Sequence, residues 1–80
     1  MGNAYPLLDR TQVESILKAL GFTQIRHEGS HAQWEGYTKN KRRLVTVKHF
    51  SRIKEKYSHG LLRKMIQQSG LSKKEFYRYL

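Results

Sequence analysis

The 80-residue chain predicts an α+β fold: a helix, a three-stranded antiparallel sheet and a second helix, followed by a short C-terminal helical extension. Three observations predict it. Val13, Ile16, Leu17 and Leu20 recur at helical spacing and stop at Gly21, and Leu61, Leu62, Met65 and Ile66 do the same before Gly70. Between these stripes, His31–Tyr37 and Leu44–Lys48 alternate with the period of two that belongs to a half-buried strand. The connecting segments are short and polar, as in a meander. Each helix has one apolar stripe, so the simplest core packs both on one face of the sheet and leaves His31 and Lys48 on the other.

Residues 1–8 lack a clear period and are expected to form an N-terminal arm. Thr11 and Glu14 fit a capping box, in which hydroxyl and carboxylate satisfy each other's orphan N–H groups at the start of the first helix. Phe22–His27 reads as the first strand, with Glu28, Gly29 and Ser30 turning the chain into the second. There Ala32 and Trp34 face the core, while His31, Gln33 and Glu35 face away. Thr38–Arg42 is expected as a basic hairpin loop, followed by Leu44–Lys48 with Val45 and Val47 inward. Phe50–Tyr57 reads as a basic linker and Ser58 as the N-cap of the second helix. Within the extension, 71–80, Ser72 and Glu75 form another capping box and Phe76 and Leu80 an i,i+4 apolar pair.

Eighty residues make one domain, 1–80, burying only roughly 60–65% of its unfolded surface, so chemistry belongs in a shallow groove. There is no cysteine, which removes disulfides and thiolate metal sites, and the four histidines (27, 31, 49 and 59) fall at no metal-ligand spacing. No metal or cofactor is expected. No apolar run approaches a membrane span, and the N-terminus lacks a secretory h-region, so a cytoplasmic location is expected.

Sixteen Lys and Arg stand against six acids, a formal charge of +10. Between Lys39 and Lys64 lie ten basic residues and a single acid, Glu55. A basic half beside a near-neutral half points to a polyanion-binding face. At its edge, Gly29-Ser30-His31 places an imidazole just past a tight turn, where it can move protons near neutral pH. Spacing alone leaves two readings of His31: a turn residue bonded to nearby backbone, or a proton-transfer group.

Further motifs carry a resemblance. Leu20-Gly21-Phe22 ends the first helix, Gly29-Ser30-His31 opens the second strand, and Val45-Thr46-Val47 lies in the third. Gly60-Leu61-Leu62-Arg63 opens the second helix, and Ser69-Gly70-Leu71-Ser72 with Glu75-Phe76 follows it. In order and spacing, from about Val13 onward, the chain resembles the HicA family of bacterial toxin ribonucleases. That resemblance implies a fold like the double-stranded-RNA-binding domain, a metal-independent mRNA endonuclease activity that inhibits translation, and neutralisation by a HicB-type antitoxin. It implies that His31 is catalytic. The chain departs from the family at Lys48-His49-Phe50, where a proline often follows the strand, and at Gly60-Leu61-Leu62, where Gly-Thr-Leu is usual.

With RNA as the substrate, the candidate binding residues follow. The turn at Ser30 offers N–H groups to a phosphate. Lys39, Lys41, Arg42 and Arg43 would track the backbone. Lys48 sits beside His31, and Lys54 and Lys56 precede a helix start where Gly60 permits close approach. His49 and His59 are weaker candidates for the second proton transfer, with water or Lys48 as others, and His27 weaker still. Trp34 is expected in the core, while Tyr37 is available for stacking on bases. Two other functions use the same features: a non-catalytic RNA-binding module, in which His31 is only a turn residue, and a DNA-binding repressor. The latter lacks a helix-turn-helix between the main helices. The antitoxin should present carboxylates to the basic face.

Overall fold

The computed structural model describes residues 5–80; half of the expected arm, residues 1–4, lies outside the described residues. Helix α1 spans Arg10–Ala19, strands β1, β2 and β3 span Thr23–Glu28, His31–Thr38 and Lys41–Lys48, and helices α2 and α3 span His59–Ser69 and Lys73–Tyr77. The sheet is antiparallel with order β1-β2-β3. This is the predicted α+β order, with the arrangement of a double-stranded-RNA-binding domain.

One core holds the fold together. Val13, Ile16 and Leu17 of α1 and Leu62, Met65 and Ile66 of α2 close over Ala32, Trp34, Val45 and Val47 of the sheet. Burial alternates strictly along β2, so one sheet face is covered and the other open. Helix α2 lies along β3, where the Gln68 side-chain carbonyl accepts the Thr46 backbone N–H at 2.9 Å. That contact occupies a donor that an edge strand would otherwise leave bare.

Four expectations are corrected. The α1 cap is Asp9, not Thr11: Asp9 accepts the Gln12 N–H at 2.9 Å while Gln12 accepts the Asp9 N–H at 3.0 Å. Asp9-x-x-Gln12 and Thr11-x-x-Glu14 both suit a capping box. The choice is made by Leu8 and Asp9, which pair with Tyr57 and Lys56 and hold the chain extended up to Asp9.

The basic hairpin loop shrinks to Lys39 and Asn40, both at positive φ (52° and 67°), which gives a two-residue turn with the twist hairpins favour. Lys41, Arg42 and Arg43 are therefore strand residues. Phe50–Tyr57 is no free linker, because Tyr57 is completely buried and its N–H donates to the Leu8 carbonyl at 2.8 Å. Finally, Phe76 is buried but Leu80 is 57% exposed, since α3 ends at Tyr77 and carries Leu80 off the core. The caps at Ser58, Gly70 and Ser72 are as expected.

Candidate active site

A β-bulge in β1 builds the site. Gln24 pairs with Trp34, yet Arg26 pairs with Gln33, so Ile25 is the extra residue and the strand's facing changes across it. Downstream of the bulge, Arg26 and Glu28 turn onto the open face. Two rows then cross all three strands there: Glu28, His31 and Lys48, and beside them Arg26, Gln33 and Thr46. Directly opposed side chains on one face start roughly 4.5–5.5 Å apart, so His31 has a carboxylate on one flank and an ammonium on the other. Arg26 Nε stands 3.9 Å from the Glu28 carboxylate, and the Gln33 amide donates to the Thr46 hydroxyl at 3.1 Å.

His31 is exposed and Lys48 half-buried. Both line a groove of about 240 Å³ between β3 and α2, with Thr46 on the sheet side and Lys64 and Gln68 on the helix side. Across β2 a second depression of about 310 Å³ joins His31 to Arg26, Glu28 and Gln33. The imidazole thus stands on a ridge between two shallow grooves, as a chain of this size permits.

Backbone contacts hold the row. Gly29 takes φ 58°, a conformation costly for residues with a Cβ, and lets the chain reverse immediately before His31. The Ser30 carbonyl accepts the His49 N–H at 2.7 Å, tying the turn to the end of β3. On the other flank the Tyr57 hydroxyl donates to the Lys48 carbonyl at 2.5 Å. Burial pushes the Tyr57 phenol up to about 12, so it remains a donor throughout the neutral range.

The remaining predicted residues fall elsewhere. Thr38 and Lys41 close the far end of the hairpin, seven residues from His31 along β2, or roughly 23 Å at about 3.3 Å per residue. There Lys39 reaches Glu75 at 3.1 Å, and Arg42 pairs with Glu35. Arg43 lies on the helix side, donating to Thr38 at 3.0 Å and lying against Gly70. Lys54 and Lys56 are exposed, but Lys56 reaches toward Gln12 at the start of α1, not toward His31. Gly60 is exposed in the first turn of α2, on the flank away from the His31 groove. Of the predicted set, Lys48 and the neighbouring turn residue Ser30 are brought to His31.

Three residues near His31 were not singled out as site residues: Arg26, Glu28 and Lys64. No local signal reveals the bulge that turns the first two onto the open face. Lys64 was legible as the end of the basic segment, and packing alone shows which groove it borders. The other histidines point away. His27 and His49 pack edge to face on the helix side, with ring centroids 4.5 Å apart, and His49 Nε2 stands 3.7 Å from Glu14. Burial, aided by Arg10 and His27, lowers the His49 pKa below its ordinary value. His59 borders a separate groove on the far flank of α2.

Comparison with known families decides the affiliation. Residues 10–71 match the HicA toxin of bacterial toxin–antitoxin systems, a stretch running from the first residue of α1 to just past α2. The chain belongs to the HicA toxin family. No curated protein and no solved structure matches it. In this HicA toxin the matched stretch contains both open-face rows, the His31 groove and the whole sheet. Among the described residues no three His, Cys, Asp or Glu side chains gather as a metal site, and no helix is long and apolar enough to cross a membrane.

Proposed function

We propose that this HicA toxin is an mRNA endoribonuclease that cleaves by attack of a 2′-hydroxyl on the adjacent phosphate. The row Glu28–His31–Lys48 on the open sheet face carries the reading. Such cleavage needs a base for the 2′-OH proton, an acid for the departing 5′-oxygen, and positive charge for the pentacoordinate phosphate. In the proposed step the Glu28 carboxylate accepts the 2′-OH proton as the 2′-oxygen bonds to phosphorus. The P–O5′ bond breaks, and protonated His31 delivers its proton to the 5′-oxygen. The products are a 2′,3′-cyclic phosphate and a free 5′-hydroxyl. Lys48 and Lys64 stabilise the charge on phosphorus, and Arg26, 3.9 Å from the Glu28 carboxylate, holds it in place.

Acid–base groups of this kind contribute typically about 10²–10⁴-fold each. Both residues are open to solvent, which suits a long, single-stranded substrate laid across the face. The row also supports an antitoxin partner, of HicB type, that sets carboxylates against Lys48 and Lys64 and covers His31.

The test compares His31→Ala and Glu28→Gln with the wild type on a defined RNA, following product ends and pH dependence. Loss of about 10²-fold or more in each variant is expected. Cleavage should be bell-shaped with pH in the wild type and lose its acid limb in Glu28→Gln. Unimpaired cleavage by His31→Ala would sink the mechanism; RNA binding without cutting by the wild type would leave a non-catalytic binding module.

A further inference from the structure

A second groove lies away from His31. It has a volume of about 590 Å³ and runs between α2, α3 and the segment entering α1. One wall is aromatic: the Tyr5 and Tyr77 rings have centroids 4.7 Å apart at 40°, and Tyr77 donates to the Pro6 carbonyl at 2.7 Å, pinning the segment in place. Arg63 and Lys73 line it, and the Lys73 ammonium stands 5.3 Å from the Tyr5 ring centre. Leu62 and Ile66 form the floor, Gln67 offers an amide, and no carboxylate is among the lining residues.

We propose that this groove is a nucleotide subsite: a base of single-stranded RNA lies against the Tyr5–Tyr77 wall while Arg63 and Lys73 hold its flanking phosphates. Planar aromatic walls accept any base by stacking, and a groove with Arg63 and Lys73 but no carboxylate in its lining favours a polyanion. Position supports the same occupant. The His31 groove and this one border opposite flanks of α2, a helix about 10–12 Å across with its side chains. Arg63 and Lys64 stand on the exposed ridge between them. A strand whose scissile phosphate sits at His31 would cross that ridge within a few nucleotides and enter the aromatic groove.

The subsite rests on the reading of the chain as an RNA-acting protein, yet its binding needs no cleavage. A labelled 2′-O-methyl decanucleotide, which lacks the attacking hydroxyl, therefore tests it by fluorescence anisotropy at several salt concentrations. The double variant Arg63→Gln/Lys73→Gln changes two exposed side chains and should melt like the wild type. It should bind about tenfold more weakly, with the slope of log K against log salt shallower by about 1.4, since two phosphate contacts are lost. Tyr5→Ala should weaken binding about tenfold and Tyr5→Phe should leave it unchanged. The readout is binding of an oligonucleotide that cannot be cut, so failure of the catalytic reading leaves these results intact. Unchanged affinity and slope in the double variant overturn the subsite. So does a groove that, by the same variants, proves to hold a glutamate-rich decapeptide and not the oligonucleotide, which would mark it as a docking site for an acidic protein segment.

Discussion

The Tyr57 hydroxyl donates to the Lys48 carbonyl, so a phenol from the core fixes the strand end that presents a cation beside His31. Tyr57 is itself held by its N–H on the Leu8 carbonyl, which links the site to the start of α1. Stability and placement of the row therefore share one side chain.

Tyr57→Phe keeps the ring and removes that hydrogen bond. A loss of about 0.5–1.5 kcal/mol in a urea titration is expected. RNA cleavage should fall further than stability predicts, by about tenfold or more, because small displacements of catalytic groups are costly. Wild-type cleavage by a destabilised Tyr57→Phe would mean that Lys48 needs no such support.

Gly36 is buried in β2 against the Phe22 ring, and a Cβ there would stand 2.5 Å from two ring carbons. Phe22 is itself 2% exposed and has nowhere to retreat. Gly36→Ala should destabilise the fold by about 1–3 kcal/mol, the usual cost of overpacking, read as a lower denaturation midpoint.

The opposite outcome is expected one helix away. A Cβ at Gly60 meets nothing nearer than Ser58 Oγ at 4.0 Å, and the backbone there is ordinary helix. Gly60→Ala should raise stability by about 0.4–1 kcal/mol by restricting the unfolded chain. Binding of the 2′-O-methyl decanucleotide should nevertheless weaken, because the new methyl projects from the groove wall at Gly60. Improved stability with unchanged affinity would remove Gly60 from the binding surface.

Acid sensitivity should trace to His49. The charged form of its imidazole is disfavoured by burial first, then by Arg10 and His27, with Glu14 opposing. Its folded pKa is thus depressed below the ordinary value of about 6.5. The unfolded chain takes up the proton first, so the contribution is complete above that pH and is lost as the pH falls below it. Melting temperatures between pH 7 and 5 should decline less steeply for His49→Gln than for the wild type. Parallel curves would show that the cluster of Arg10, Glu14, His27 and His49 does not couple to folding.

Much of this was visible in local patterns. Periodicity over a few neighbouring residues gave both main helices and the second and third strands, while residue type and the turn at Gly29 gave the first strand. Gly21 and Gly70 marked the helix ends, and the alternation around Trp34 assigned the sheet's two faces. The chain's charge pointed to a polyanion, while the position of His31 past a glycine turn left both a turn residue and a proton-transfer group open. These signals lie within a turn or a strand, where intrinsic preferences and side-chain spacing act directly.

Tertiary structure decided whatever depends on residues far apart. The pairing of Leu8 and Asp9 with Lys56 and Tyr57 chose between two equally good capping boxes. Burial of Tyr57 turned an apparent linker into core, and the bulge at Ile25 moved Arg26 and Glu28 onto the face of His31. The contact of Gln68 with Thr46, 22 residues away, set which flank of α2 borders the site. A sequence window holds the period of an element, whereas register, bulges and groove walls are settled by the balance of contacts once all the elements are packed together.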